Sequence, residues 1–200
     1  MKVSLILLFS FLFLANSAIL NITDIFSLQS EVKNDSVVFN ARLNGAPSSQ
    51  GWLCWGLGSK MYPADLICCY KNSTNAKLEC GDYFNNFESV TGDYFPAPVK
   101  DELFKGGKND VVLLETEEKQ NYRRFQVSRK LNTSDNYDFA YTPNLNHLIW
   151  AYSNKSDNIT KIEGHTSYGK GYFNLGESSG MRRMIFGLGF LVSCLMMIVF

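Results

Sequence analysis

The sequence predicts an all-β fold, an antiparallel β-sandwich, over residues 18–175. Three features carry that expectation. Short alternating or apolar stretches recur along the chain, separated by clusters of Gly, Pro, Asn and Asp. No amphipathic helical stretch stands out between them. Four cysteines fall where neighbouring antiparallel strands can bridge them.

Taken in order, the chain opens with Lys2 and an unbroken apolar run from Val3 to Leu14, followed by Ala15-Asn16-Ser17. A short positive region, about 7–15 apolar residues and small residues before the cut describe a secretory signal peptide, residues 1–17. The run is too short for the roughly 20 residues of a membrane span. "SVVFNARLN" then alternates, with Val37, Phe39, Ala41 and Leu43 on one face and Asn40, Arg42 and Asn44 on the other. "GWLCWGLG" is a short apolar strand closed by glycines. "DLICCYKNSTNAKLECGDYF" reads as two strands joined by a polar turn at Asn72–Asn75. "NDVVLLETEE", "NYRRFQVSRKL" and "NHLIWAYS" continue the series. Strands at this spacing over about 160 residues suit a sandwich.

Residues 176–183 read as a linker or anchor-attachment region, and Met184 to Phe200 is apolar to the last residue. Arg182 and Arg183 precede that tail, the wrong side for a type I span. Small residues, a polar spacer and a terminal apolar tail describe a GPI-attachment signal. Candidate attachment residues are Asn174 and Ser178, and a retained tail anchor is the alternative. Together the two ends predict passage through the secretory pathway to the extracellular face of the plasma membrane.

The full chain carries 19 basic and 19 acidic residues; without Lys2, Arg182 and Arg183, sixteen basic residues face the 19 acidic ones. That mild negative balance, with no basic run, argues against nucleic acid as a partner. Six sequons mark candidate surface glycans: Asn21, Asn34, Asn72, Asn132, Asn154 and Asn158. Cys194 lies in the tail, leaving Cys54, Cys68, Cys69 and Cys80 for up to two disulfides. Adjacent strand residues point to opposite faces, so Cys68 and Cys69 cannot serve one partner. A hairpin near residue 74 brings Cys80 opposite one of them, and the other can reach Cys54.

"GESSG", residues 176–180, formally matches a nucleophile elbow, but that motif needs a strand-to-helix turn in an α/β sheet. There is no H-E-x-x-H, P-loop or Rossmann glycine pattern, and two histidines cannot build a three-His metal centre. His147 sits beside Ile149 on a strand and reads as structural. What remains is a sparse pair, Met61 after "GLGSK" and His165 in "EGHTSYGKG". Met61 is the one methionine of six that lies between the two terminal segments, and it sits in a loop, where core-filling methionines are not expected. Met and His together are the axial ligands of electron-transfer hemes.

Five segments resemble the DOMON domain family in order: "GWLCWGLGSKMYPADLICCY", "GDYF", "FQVSRKLNTSDNYDF", "HLIWAYS" and "GHTSYGKG". The resemblance covers about Phe26 to Phe173. It implies an immunoglobulin-like β-sandwich holding heme b or sugar in a pocket at one end. It also implies that Met61 and His165 are the axial ligands of the heme iron, so that both positions are filled by protein. Trp52 and Trp55 lie on opposite faces of one strand; only one can face such a pocket, and Trp52 is assigned there. Arg129, in phase with Phe125, Val127 and Leu131, points inward and needs an anion. A heme propionate is one candidate and Asp135 or Asp138 another. Lys170 holds the basic position before Gly171, where the family more often has Arg. Asp65 fits the loop motif and is expected to hold the turn.

The implied function is single-electron transfer by a cell-surface, GPI-anchored cytochrome b-type DOMON protein, with redox partners at the membrane and outside it. A carrier or binding module is expected rather than a self-contained catalyst. The alternative is a heme-free module that binds carbohydrate or a protein through its aromatic residues.

Overall fold

A computed structural model describes residues 17–45, 51–85, 98–142, 145–153 and 165–175, with side chains from residue 22 onward. The described residues form eleven strands: β1 (Ser17–Asn21), β2 (Phe26–Lys33), β3 (Ser36–Asn44), β4 (Trp52–Leu57), β5 (Ala64–Lys71), β6 (Leu78–Asn85), β7 (Val99–Lys100), β8 (Val112–Lys119), β9 (Tyr122–Lys130), β10 (Leu145–Ser153) and β11 (Ser167–Asn174). They build a five-stranded sheet, β1-β2-β3-β9-β8, and a six-stranded sheet, β11-β10-β4-β5-β6-β7. Every pairing is antiparallel. The fold is the predicted all-β sandwich.

Alternation decides what faces inward. Val37, Phe39, Ala41 and Leu43 of β3 are all buried, and Phe125 and Val127 stand opposite Ala41 and Phe39 on β9. The six-stranded sheet supplies Leu53, Trp55, Ile67, Cys69, Leu148 and Tyr152 from the other side of one core. Trp55 packs edge-on to Phe39 with ring centroids 5.9 Å apart, and Leu175, just past β11, closes the same core. Edge strand β8 carries Glu115, Glu117 and Glu118, charges that discourage pairing with another chain.

β4 and most of β5 are buried on both faces. Their outward side chains Trp52, Cys54, Ala64, Leu66 and Cys68 form a second apolar cluster, joined by Tyr83 of β6 and Ile149 of β10. The disulfides divide between the two faces. Cys54–Cys68 lies in the outer cluster, whereas Cys69–Cys80 lies against the core. Both join residues directly opposite on paired strands, which settles the pairing the sequence left open.

Gly56 is where β4 and β5 come closest: a Cβ there would run into the backbone carbonyl of Asp65. Gly56→Ala should therefore push the two strands apart, at a cost of about 1–3 kcal/mol in urea unfolding. A variant as stable as the parent would show that the backbone relaxes freely at this point.

Of the sequon asparagines, Asn34 and Asn132 are exposed. Asn72 is half-buried and its amide donates to Glu79 at 3.0 Å, and a glycan there would replace one of its two N–H groups. The Asn21 side chain, Asn154 and Asn158 lie outside the described residues, as do residues 1–16 and the stretch from 176 to 200 with Ser178.

Candidate functional site

The outer face of the six-stranded sheet carries a cavity of about 320 Å³. Trp52 and Cys54 of β4, Leu66 of β5 and Ile149 of β10 form its apolar floor. Met61 and His165 both belong to its lining. Two residues far apart in sequence, each the sparse member of its segment, thus line one apolar space. The cavity lies against a sheet face beneath the β4–β5 loop, not between the sheets.

Local structure explains how each is held. Met61 belongs to the loop between β4 and β5, residues 58–63. Its entry is tied down where the Gly58 amide donates to the His147 carbonyl at 3.0 Å, extending the β4–β10 ladder. Its exit is held by Asp65, the second residue of β5. His165 precedes β11, where the Thr166 amide donates to the Tyr152 carbonyl at 2.8 Å. The imidazole is half-buried and packs on the Tyr168 ring, centroids 4.6 Å apart. Lys60 and Lys170 are exposed residues of the same lining.

The predicted site residues separate into two groups. Met61, His165, Trp52 and Lys170 line the cavity. Trp55 turns into the core, on the opposite face of β4. Arg129 does not reach the cavity. Its side chain is fully buried between the sheets and forms a bidentate pair with Asp65 at 2.7 and 2.9 Å. Asp138 lies 2.7 Å from its other side and Asp82 at 3.7 Å. The propionate role for Arg129 is therefore corrected to an internal ion pair, because the inward phase of β9 points it away from the outer face. His147 is exposed and packs on Tyr172, centroids 4.6 Å apart, outside the lining.

Sequence reading missed Tyr168 and Lys60. Tyr168 shares the outward phase of Lys170, so a strand assignment for residues 167–174 exposes it. Lys60 is the immediate neighbour of Met61. Trp150, one of the aromatics expected to stack in the carbohydrate alternative, also lines the cavity; its indole lies across β11 at Gly169, where a Cβ would strike the ring.

Behind the site, Asp65 also accepts the Phe139 amide at 2.6 Å. Burial pushes the carboxyls of Asp82 and Asp101 up, to about 8 and about 9. Neighbouring carboxylates add to both shifts.

A sequence model of the DOMON domain matches residues 23–153. The chain belongs to the DOMON domain family. This DOMON domain is similar in fold to the cytochrome domain of cellobiose dehydrogenase from Myriococcum thermophilum. That match has a TM-score of 0.55 and 13% identity, over 84% of this chain and 88% of that one. It is also similar to the cytochrome b domain of pyranose dehydrogenase from Coprinopsis cinerea, with a TM-score of 0.51 and 15% identity, over 76% and 77% of the two chains. At such identities the likeness speaks for the fold. No curated protein matches the DOMON chain in sequence.

Proposed function

We propose that this DOMON domain binds heme b in the outer-face cavity, with Met61 and His165 as axial ligands, and carries single electrons. The observation that carries this reading is the convergence of the thioether and imidazole segments on one apolar cavity. Its volume falls at the lower end of the roughly 300–1,000 Å³ of ligand and cofactor pockets. The named relatives in fold, both cytochrome domains, support the same reading.

The chain's own residues supply four things. Met61 offers a neutral sulfur that favours the ferrous state, and His165 a nitrogen ligand. The apolar floor of Trp52, Leu66 and Ile149 keeps water away and lowers the local dielectric, which tunes a redox centre. Lys60 and Lys170 offer cations to carboxylates at the mouth. The tethers at Gly58, Asp65 and Thr166 fix the two ligand segments before anything binds. Heme bound there would supply a one-electron couple, and with both axial positions filled it would have no open site for oxygen.

The apolar N-terminal run and the C-terminal tail support a setting at the extracellular face of the plasma membrane. Of the two attachment candidates we favour Ser178, because cleavage after Asn174 would withdraw the fully buried Leu175 from the core. The partners are then membrane and extracellular redox partners that give and take one electron.

The test is an absorption spectrum of the full-length protein purified with hemin supplied, before and after dithionite. A Soret band with sharp reduced α and β bands is the expected result. A folded protein that acquires no Soret band would overturn the reading. It would turn attention to carbohydrate over Trp52 and Tyr168, measurable by glycan binding.

A further inference from the structure

Six carboxylates gather where the β6–β8 connection meets the segment after β9, on the far side of the sheet from the cavity. Asp65, Asp82 and Asp138 form one group with ligand atoms within 4.8 Å of one another, and Asp110, Asp135 and Asp138 form a second. Arg129 occupies the first. Among the described residues no Lys or Arg forms an ion pair with Asp110 or Asp135, and Asp138 is shared between the two groups. One Oδ each of Asp110 and Asp135 is buried without a hydrogen-bond partner among the described residues.

A further observation comes from outside both groups. Asp101 is 1% exposed, meets the Asp138 carboxyl, and among the described residues no N–H or O–H group donates to either of its oxygens. Burying a carboxylate unpaired is expensive, and such groups pair or coordinate metal. One guanidinium already committed to Asp65 cannot serve all of them. The set is all oxygen, with no His or Cys, which excludes the usual zinc donors. The ligands come from separate irregular segments, and calcium tolerates such geometry whereas magnesium demands a near-ideal octahedron.

We propose that Asp101, Asp110, Asp135 and Asp138 form a calcium site. None of the four lines the cavity, so the site does not depend on the heme reading. Bound calcium would tie the short turn at Asp101–Leu103 and the segment at residues 104–111 to the segment after β9. Phe104 and Tyr137, stacked with centroids 4.8 Å apart, already join two of these.

Terbium is the probe of choice, because the Tyr137 amide donates to Asp135 at 2.9 Å and its ring can sensitise a lanthanide nearby. The experiment uses full-length protein stripped with EGTA. Tyrosine-sensitised terbium emission should saturate near one ion per chain and be displaced by calcium. With free calcium about 100-fold above its dissociation constant, Tm should rise by roughly 5–10 °C. Asp135→Asn and Asp110→Asn should each weaken calcium binding at least tenfold, while Asp24→Asn, at a distant turn, should not. If those variants fail to fold, the wild-type titration decides alone. Absent sensitised emission together with one Tm in EGTA and in calcium would overturn the proposal, leaving protons to neutralise the cluster. Equal stabilisation by magnesium would overturn the assignment to calcium.

Discussion

Arg129→Met is expected to remove about 3–5 kcal/mol of stability, a large part of the roughly 5–15 kcal/mol that holds a typical domain together. The methylene stem is kept and only the guanidinium is lost, so the cost is electrostatic. Asp65 loses both bonds of its bidentate pair, and Asp138 loses its 2.7 Å contact. Burial leaves neither carboxylate water to replace them. Arg129→Lys tests geometry separately from charge, since an ammonium cannot make the planar two-bond contact. It should fall between wild type and Arg129→Met. The pair Arg129→Met with Asp65→Leu should recover part of the loss, because replacing both partners by apolar groups removes the uncompensated charge. Urea unfolding with an unchanged m-value would measure all three. A loss below about 1 kcal/mol for Arg129→Met would put this pair among the weak surface class, against its burial.

The second large effect concerns Met61. If the cavity holds heme as proposed, Met61→Ala should abolish the sharp reduced α band while leaving pigment held by His165. Met61→His should restore a six-coordinate spectrum with two nitrogen ligands. Its midpoint potential should drop by at least on the order of 0.1 V, within the roughly 0.8 V over which axial ligands move heme potentials. Met61 is half-buried in a loop. Substitutions there should therefore change the stability of the heme-free protein by only about 0.5 kcal/mol. A spectrum and potential identical to wild type in both variants would remove Met61 from the coordination sphere.

The frame was legible because alternation is a local signal. Residues 36–44 read as a strand with one apolar side, and β3 has those bounds with that side inward. The same rule assigned Trp52 and Trp55 to opposite faces and separated Cys68 from Cys69. β4 and β5 were harder, since a strand apolar on both faces looks the same whichever face is the core. Nothing within those runs announces a cavity outside the sandwich. β11 was hidden by its glycines and exposed tyrosines, a weak strand pattern, and Tyr168 was hidden with it. The inward phase of Arg129 was readable, but its main partner was not. Asp65 lies across the sandwich on another sheet, and sequence order carries no trace of that meeting. The acidic cluster was invisible for the same reason: Asp65 and Asp82 belong to strands β5 and β6, the others to turns and connections, and only folding collects them.

The two-faced strands β4 and β5 also bear on how such a domain diverges. Alternate residues of the same strands answer to different selective demands: the inward ones to the volume of a packed interior, the outward ones to whatever occupies the cavity. A lineage can therefore exchange its guest, or lose it, through mutations at every second position and in the loop at residues 58–63. The inward set is untouched by such drift. Shape and chemistry are inherited on separate tracks, interleaved residue by residue in a single stretch of chain.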